Sequence, residues 1–205
     1  PYTLMGLVVL LVALAFSRVR LPEVAQPSPD DEASRSAFRS IGQLFRRSSF
    51  VLGLAALLAY EVAEISINSY FIHFVTGQGW LSLTQASDVL AVALAFFMVG
   101  RFVGSWVMRR VRAERALLVC AAGSVACIVV VLADVGFVSC VALILNYVFE
   151  AIMFPTIFAL SLKGLGSLTK SASSLLMMTP VGGCGYLLMG MMADHTTLVL
   201  PFVIP

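Results

Sequence analysis

The stretch VLGLAALLAYEVAEISINSYFIHFV, residues 51–75, decides the fold. It is apolar almost throughout, yet Glu61, Glu64 and Asn68 sit near its middle. At spacings of three and four residues these side chains project from one helical face, while Leu52, Leu58, Ile65 and Ile72 populate the remaining surface. About 25 residues rising ~1.5 Å each cross a bilayer core with some tilt, which sets both carboxyls near the midplane. A carboxyl at that depth costs about 2.5–3.5 kcal/mol on an insertion scale, and more without a partner. Such residues imply a protein-lined cavity rather than a lipid-facing surface.

The whole chain has the same character. Of its 205 residues 60% are hydrophobic and only 12% charged, and the mean hydropathy is +0.99; soluble domains carry about 25% charged residues. An all-α integral membrane protein is therefore expected, and a net charge of +2 gives no footprint for nucleic acid. Cys120, Cys127, Cys140 and Cys184 all fall in apolar segments, without CxxC spacing or a neighbouring His, so they read as buried thiols and no metal is expected. No GxxxxGK[ST], HExxH or GxSxG motif occurs, so neither an enzyme nor a cofactor is expected.

Outward from the central stretch, the chain divides into residues 1–17, a membrane helix; 18–48, a polar linker; and 49–205, a bundle of spans. The run from Tyr2 to Phe16 lacks a basic n-region and a small-residue cleavage pattern, so it reads as a membrane helix rather than a signal peptide. Both ends read as cut, at Pro1 and at Pro205 in a seventh apolar run that begins at Leu198. The linker is rich in Pro, acid and then base; within it Phe38, Ile41 and Phe45 recur at the spacing of a short amphipathic helix on the membrane surface, with a solvated linker as the alternative. Further spans are expected over Leu90–Met108, with Asp88 capping its start, Ala116–Ala133, Phe137–Leu162 and Ser171–Ala193, the last broken by Pro180, Gly182, Gly183 and Gly185.

The basic residues fix the sidedness. Arg18, Arg20, Arg35, Arg39, Arg46 and Arg47 lie in the linker, Arg109, Arg110, Arg112 and Arg115 in one alternate turn, Lys163 and Lys170 in another, and the turns between have none. Only Arg101 sits inside a span, so the basic connections share one side, the cytoplasmic one by the positive-inside rule.

The span over Phe137–Leu162 repeats the central anomaly, with Asn146 and Glu150 one turn apart on one face. Pro155 has no amide to donate, so the Ala151 carbonyl loses its helical partner and a kink or ligand site is expected. Intramembrane carboxyls are functional candidates by default, here for proton exchange or for binding polar cargo. Arg101 is expected to reach carbonyls or a cytoplasmic-side partner rather than a midplane acid. Gly100 and Gly104 form a GxxxG spacing that suits close helix packing, and the glycines after Pro180 suit a bend that moves. His73 and His195 read as polar lining or surface.

Five stretches together resemble the fucose permease-like branch of the major facilitator superfamily: YEVAEISINS at 60–69, GRFVGSWVMRR at 100–110, FEAIMFPTIFAL at 149–160, KGLGSLTKSASS at 163–174 and VGGCGYLLMGMMADH at 181–195. The resemblance implies a protein of two six-helix halves, of which this chain is similar to helix six, the central cytoplasmic linker, helices seven to eleven and the start of twelve. It also implies alternating access about a midplane cavity, sugar and protons as cargo, a bacterial inner-membrane location and an amino-terminal half as partner. Glu64 matches a carboxylate of the family's seventh helix, whereas the family often has uncharged residues at Glu61 and Glu150. The expected cavity residues are Glu61, Glu64, Asn68, Asn146 and Glu150. A non-sugar cargo and a non-transporting fragment or accessory subunit stand as alternatives, and Tyr60, Phe71 and Tyr147 are candidate aromatic faces for a sugar.

Overall fold

The computed structural model describes residues 2–18, 40–108 and 110–205, which fall into two compact units, Pro1–Phe38 and Arg39–Pro205. Residues 19–39 of the expected linker, Phe38 among them, lie outside the described residues. In the first unit the apolar run forms α1, Tyr2–Arg18, with Arg18 in its last turn, where a cation suits the helix dipole.

The second unit opens with α2, residues 40–45. One helical turn is there, but its anchor is Leu44, fully buried, while Phe45 is 52% exposed. Of the expected face, Ile41 is half-buried and Phe45 uncovered, while Phe38 lies outside the described residues. The central stretch forms α3, Ser48–Gly77, longer at both ends than its apolar core. A turn through Gly79, at φ 72°, leads to α4, Leu83–Val107. Its start corrects the expectation for Asp88: Ser82 is the cap, and a reciprocal box with Gln85 begins the helix seven residues before the apolar run.

Helix α5, Ala113–Leu132, carries Glu114 in its first turn, held by Arg112 at 3.7 Å and Lys163 at 3.6 Å. The turn after it uses Asp134 and Gly136 at positive φ, and Ser139 ties it by accepting from the Val135 amide and donating to the Val130 carbonyl. Helix α6, Phe137–Leu162, runs unbroken through Pro155. The next expected span divides into α7, Thr169–Leu176, a 3-10 segment, Thr179–Cys184, and α8, Gly185–His195; Lys170 therefore lies inside α7 rather than in the preceding turn. The seventh apolar run includes a 3-10 turn, Leu200–Val203. Pro201 and Phe202 are buried, and the Phe202 ring lies 5.0 Å from Phe74 and 5.5 Å from Tyr70.

Five segments are long and apolar enough to cross a membrane: α3, α4, α5, α6 and Gly166–His195. No strand occurs among the described residues. Most of the surface of α4 stays uncovered, including Phe96, Val99, Phe102 and Trp106, as a lipid-facing surface requires. The core is in two parts. One gathers Ile67, Phe71, Phe74, Leu143, Tyr147 and Met189; the other gathers Leu44, Phe50, Leu57, Tyr60, Ile157 and Leu176. Along α3 the gap between them holds Glu61, Glu64 and Ser66, and along α6 it holds Glu150.

Candidate functional site

The polar layer is built chiefly by α3 and α6. Asn146 and Glu150 are 0% and 2% exposed, one turn apart. Asn146 Nδ2 donates to Glu150 Oε1 at 2.7 Å, and Asn146 Oδ1 accepts from Ser124 Oγ of α5 at 2.6 Å. The amide is therefore fixed by a donor on one side and an acceptor on the other, which orients it toward Glu150. Glu150 Oε2 and Tyr147 Oη are buried and have no hydrogen-bond partner. Glu64 of α3 lies within electrostatic range of Glu150, Tyr147 and Tyr60.

Three successive carbonyls around Pro155 receive side-chain donors. Tyr60 Oη donates to the Glu150 carbonyl at 3.0 Å, Arg101 Nε to the Ala151 carbonyl at 3.4 Å, and Thr156 Oγ1 to the Ile152 carbonyl at 2.7 Å. The Ala151 carbonyl is the one that Pro155 leaves without an amide partner. Arg101 thus takes a carbonyl rather than an acid, and its guanidinium also lies 4.9 Å over the Phe97 ring. The close approach that permits this comes from the GxxxG pair: a Cβ at Gly100 would stand 3.1 Å from Ala151 Cβ, and one at Gly104 would collide with Ile152.

A cavity of about 310 Å³ lies between α3, α5 and α6, lined by Tyr60, Ser124 and Glu150 with apolar residues such as Ala59, Ala63 and Ala121. Glu61, Glu64, Asn68 and Asn146 are not in its wall. Glu61 is 7% exposed and within range of Glu64, and Asn68 is half-buried one turn farther along α3. The structure therefore brings Asn146, Glu150 and Glu64 to one place and leaves Glu61 and Asn68 along the α3 face. Phe71 and Tyr147 pack edge to face, centroids 6.1 Å apart, both fully buried.

The 3-10 segment lies against α3. A Cβ at Gly182 would stand 3.1 Å from the Leu58 carbonyl, one at Gly183 3.0 Å from Ile65, and one at Gly185 2.6 Å from Val62. Cys184 beside them is exposed, so it is not the buried thiol expected; Cys120, Cys127 and Cys140 are buried. His73 and His195 are exposed. Ser124 is the residue that sequence reasoning missed: a lone serine in an apolar helix carries no periodic signal, and only its pairing with Asn146 sets it apart.

Membrane-crossing helices that enclose a layer of acids and amides make this a polytopic membrane protein with a polar interior. The profile of the Major Facilitator Superfamily matches residues 1–195, and the chain belongs to that family. It is 31% identical over 208 residues to a glucose/galactose transporter of Brucella abortus, covering 100% of this chain and 49% of that protein. It is also 31% identical over 185 residues to the L-fucose-proton symporter of Escherichia coli K12, covering 89% and 42%. A crystal structure of the E. coli fucose:proton symporter FucP superposes with a TM-score of 0.81 at 29% identity, covering 100% of this chain and 52% of that one. The chain spans about half the length of the relatives it matches.

Proposed function

We propose that the chain is the carboxy-terminal half of a proton-coupled hexose uptake transporter of the bacterial inner membrane, working by alternating access on glucose, galactose or fucose. The observation that carries this reading is the similarity, over nearly all of the chain, to a glucose/galactose transporter and an L-fucose-proton symporter. The polar layer supports it: acids and amides at the height of a membrane midplane are costly unless they handle polar cargo.

In this reading Glu61, Glu64 and Asn68 on α3, with Asn146 and Glu150 on α6, serve the sugar and proton path, hydrogen-bonding hydroxyls or balancing charge. Gly100, Gly104 and Arg101 hold α4 on α6 at Pro155, and the Gly182, Gly183, Gly185 segment supplies a contact with α3 that rearranges in the cycle. The amino-terminal half that the relatives carry completes the cavity.

The test is uptake of labelled glucose, galactose and fucose by cells stripped of their own hexose carriers, with the chain expressed in its native coding context. Accumulation of at least one hexose, lost when the proton gradient is collapsed, is expected. Glu64→Gln is expected to lower that uptake at unchanged membrane abundance. Protein present in the membrane with no hexose accumulated overturns the reading.

A further inference from the structure

We propose that Glu150 is the proton-carrying group of this half, seated in a station built by Ser124, Asn146 and Tyr147 that Glu64 faces from α3. The proposal rests on the proton-coupled reading above and deepens it by assigning the proton to one carboxyl oxygen.

Glu150 is 2% exposed and pairs with no cation: among the described residues, carboxylate ion pairs occur only at Glu114. An unpaired charge enclosed in this way is expensive, and a proton or a bound cation removes it. The hydrogen bonds show which oxygen is free for it. Oε1 accepts from Asn146, whose own orientation Ser124 fixes. Oε2 has no partner, and neither has the Tyr147 hydroxyl one turn before it. Among the described residues no group of three His, Cys, Asp or Glu side chains is placed to hold a metal ion; a sodium ion, which would add Asn, Ser or carbonyl oxygens, is the alternative the sodium titration below decides. A proton needs one oxygen only.

The ionisable neighbours on every packed helix are Tyr60 and Glu64 from α3, Arg101 from α4, Cys127 from α5 and Tyr147 from α6. Arg101 directs its Nε to the Ala151 carbonyl, and Glu64 brings like charge. Ser124 and Glu150 both line the 310 Å³ cavity, which brings space for water up to the residue. A hydronium ion there passes its proton to Oε2: one O–H bond breaks, one forms, and water remains. Release runs the same step backwards.

The experiment is infrared difference spectroscopy of the purified chain in lipid vesicles, titrated between acid and alkaline pH without sugar. A protonated-carboxyl C=O band is expected that converts to carboxylate on titration. Glu150→Gln is expected to remove most of it, and Glu150→Asp to restore a titrating band. Ser124→Ala, which leaves Glu150 in place but frees the Asn146 amide, is expected to shift its frequency. Persistence of the full band in Glu150→Gln overturns the proposal. Should that variant fail to fold, an unshifted band in Ser124→Ala overturns it instead. Loss of the band on adding sodium at fixed pH overturns the proton in favour of a metal cation. No sugar enters the measurement, so failure of hexose uptake defeats the transporter reading and failure of the band defeats this one.

Discussion

Two prolines sit inside the apolar spans of this chain, with opposite outcomes. At Pro155 the helix continues from Phe137 to Leu162; at Pro180 it gives way to a six-residue 3-10 segment. Both prolines leave the carbonyl four residues back without its amide. In α6 that carbonyl, Ala151, is taken by Arg101 from another helix, with Tyr60 and Thr156 serving its two neighbours. At the second site the Leu176 carbonyl is taken locally, by Thr179 at 2.7 Å, and glycines follow at 182, 183 and 185. Ties from other helices hold backbone geometry; a local tie followed by glycines lets it tighten. The proline tied from other helices lies on the helix of Glu150, and the locally tied one lies against α3, so the two sites differ in what holds their backbone.

The sharpest way to break this contrast is to push α4 away from α6. Gly104→Leu drives a side chain into Ile152 and is expected to cost about 3 kcal/mol, at the upper end for overpacking, read as a fall in thermal unfolding temperature in detergent. Arg101→Ala leaves the fully buried Ala151 carbonyl without a donor, an expected loss of about 2 kcal/mol. Repeating it in a Pro155→Ala background, where the amide returns, is expected to shrink that loss, and an unchanged loss in the double-mutant cycle would mean that Arg101 acts through something else. Tyr60→Phe removes a second donor from a carbonyl that keeps its helical amide, so about 1 kcal/mol is expected on the same assay. Thr179→Val is expected to fall below about 1 kcal/mol, because the 3-10 backbone there can readjust; a larger cost than Tyr60→Phe would reverse the contrast between the two sites.

Much of this was legible in the sequence because lipid constrains it so strongly. Hydropathy located the five segments long and apolar enough to cross a membrane, and the bounds expected for α6 are those observed. The freed Ala151 carbonyl and the turn of Arg101 toward carbonyls followed from proline chemistry and from depth. What escaped depended on contacts between helices or on short polar signals inside apolar runs. The Ser82–Gln85 box was hidden by the more conspicuous Asp88, Leu44 was outranked by Phe45 on a helix of two turns or less, and Ser124 became visible only against Asn146. The place of Phe202 between Tyr70 and Phe74 is likewise a contact that no pattern along the chain encodes.

The measurement that reaches the central claim most directly is amide hydrogen exchange of the chain in lipid, comparing residues 151–158 of α6 with residues 179–184. The account predicts slow exchange across Pro155 and fast exchange in the 3-10 segment, with Arg101→Ala raising the first toward the second and leaving the second unchanged. Equal exchange at the two prolines in the unaltered chain, or an α6 indifferent to the loss of Arg101, would contradict it.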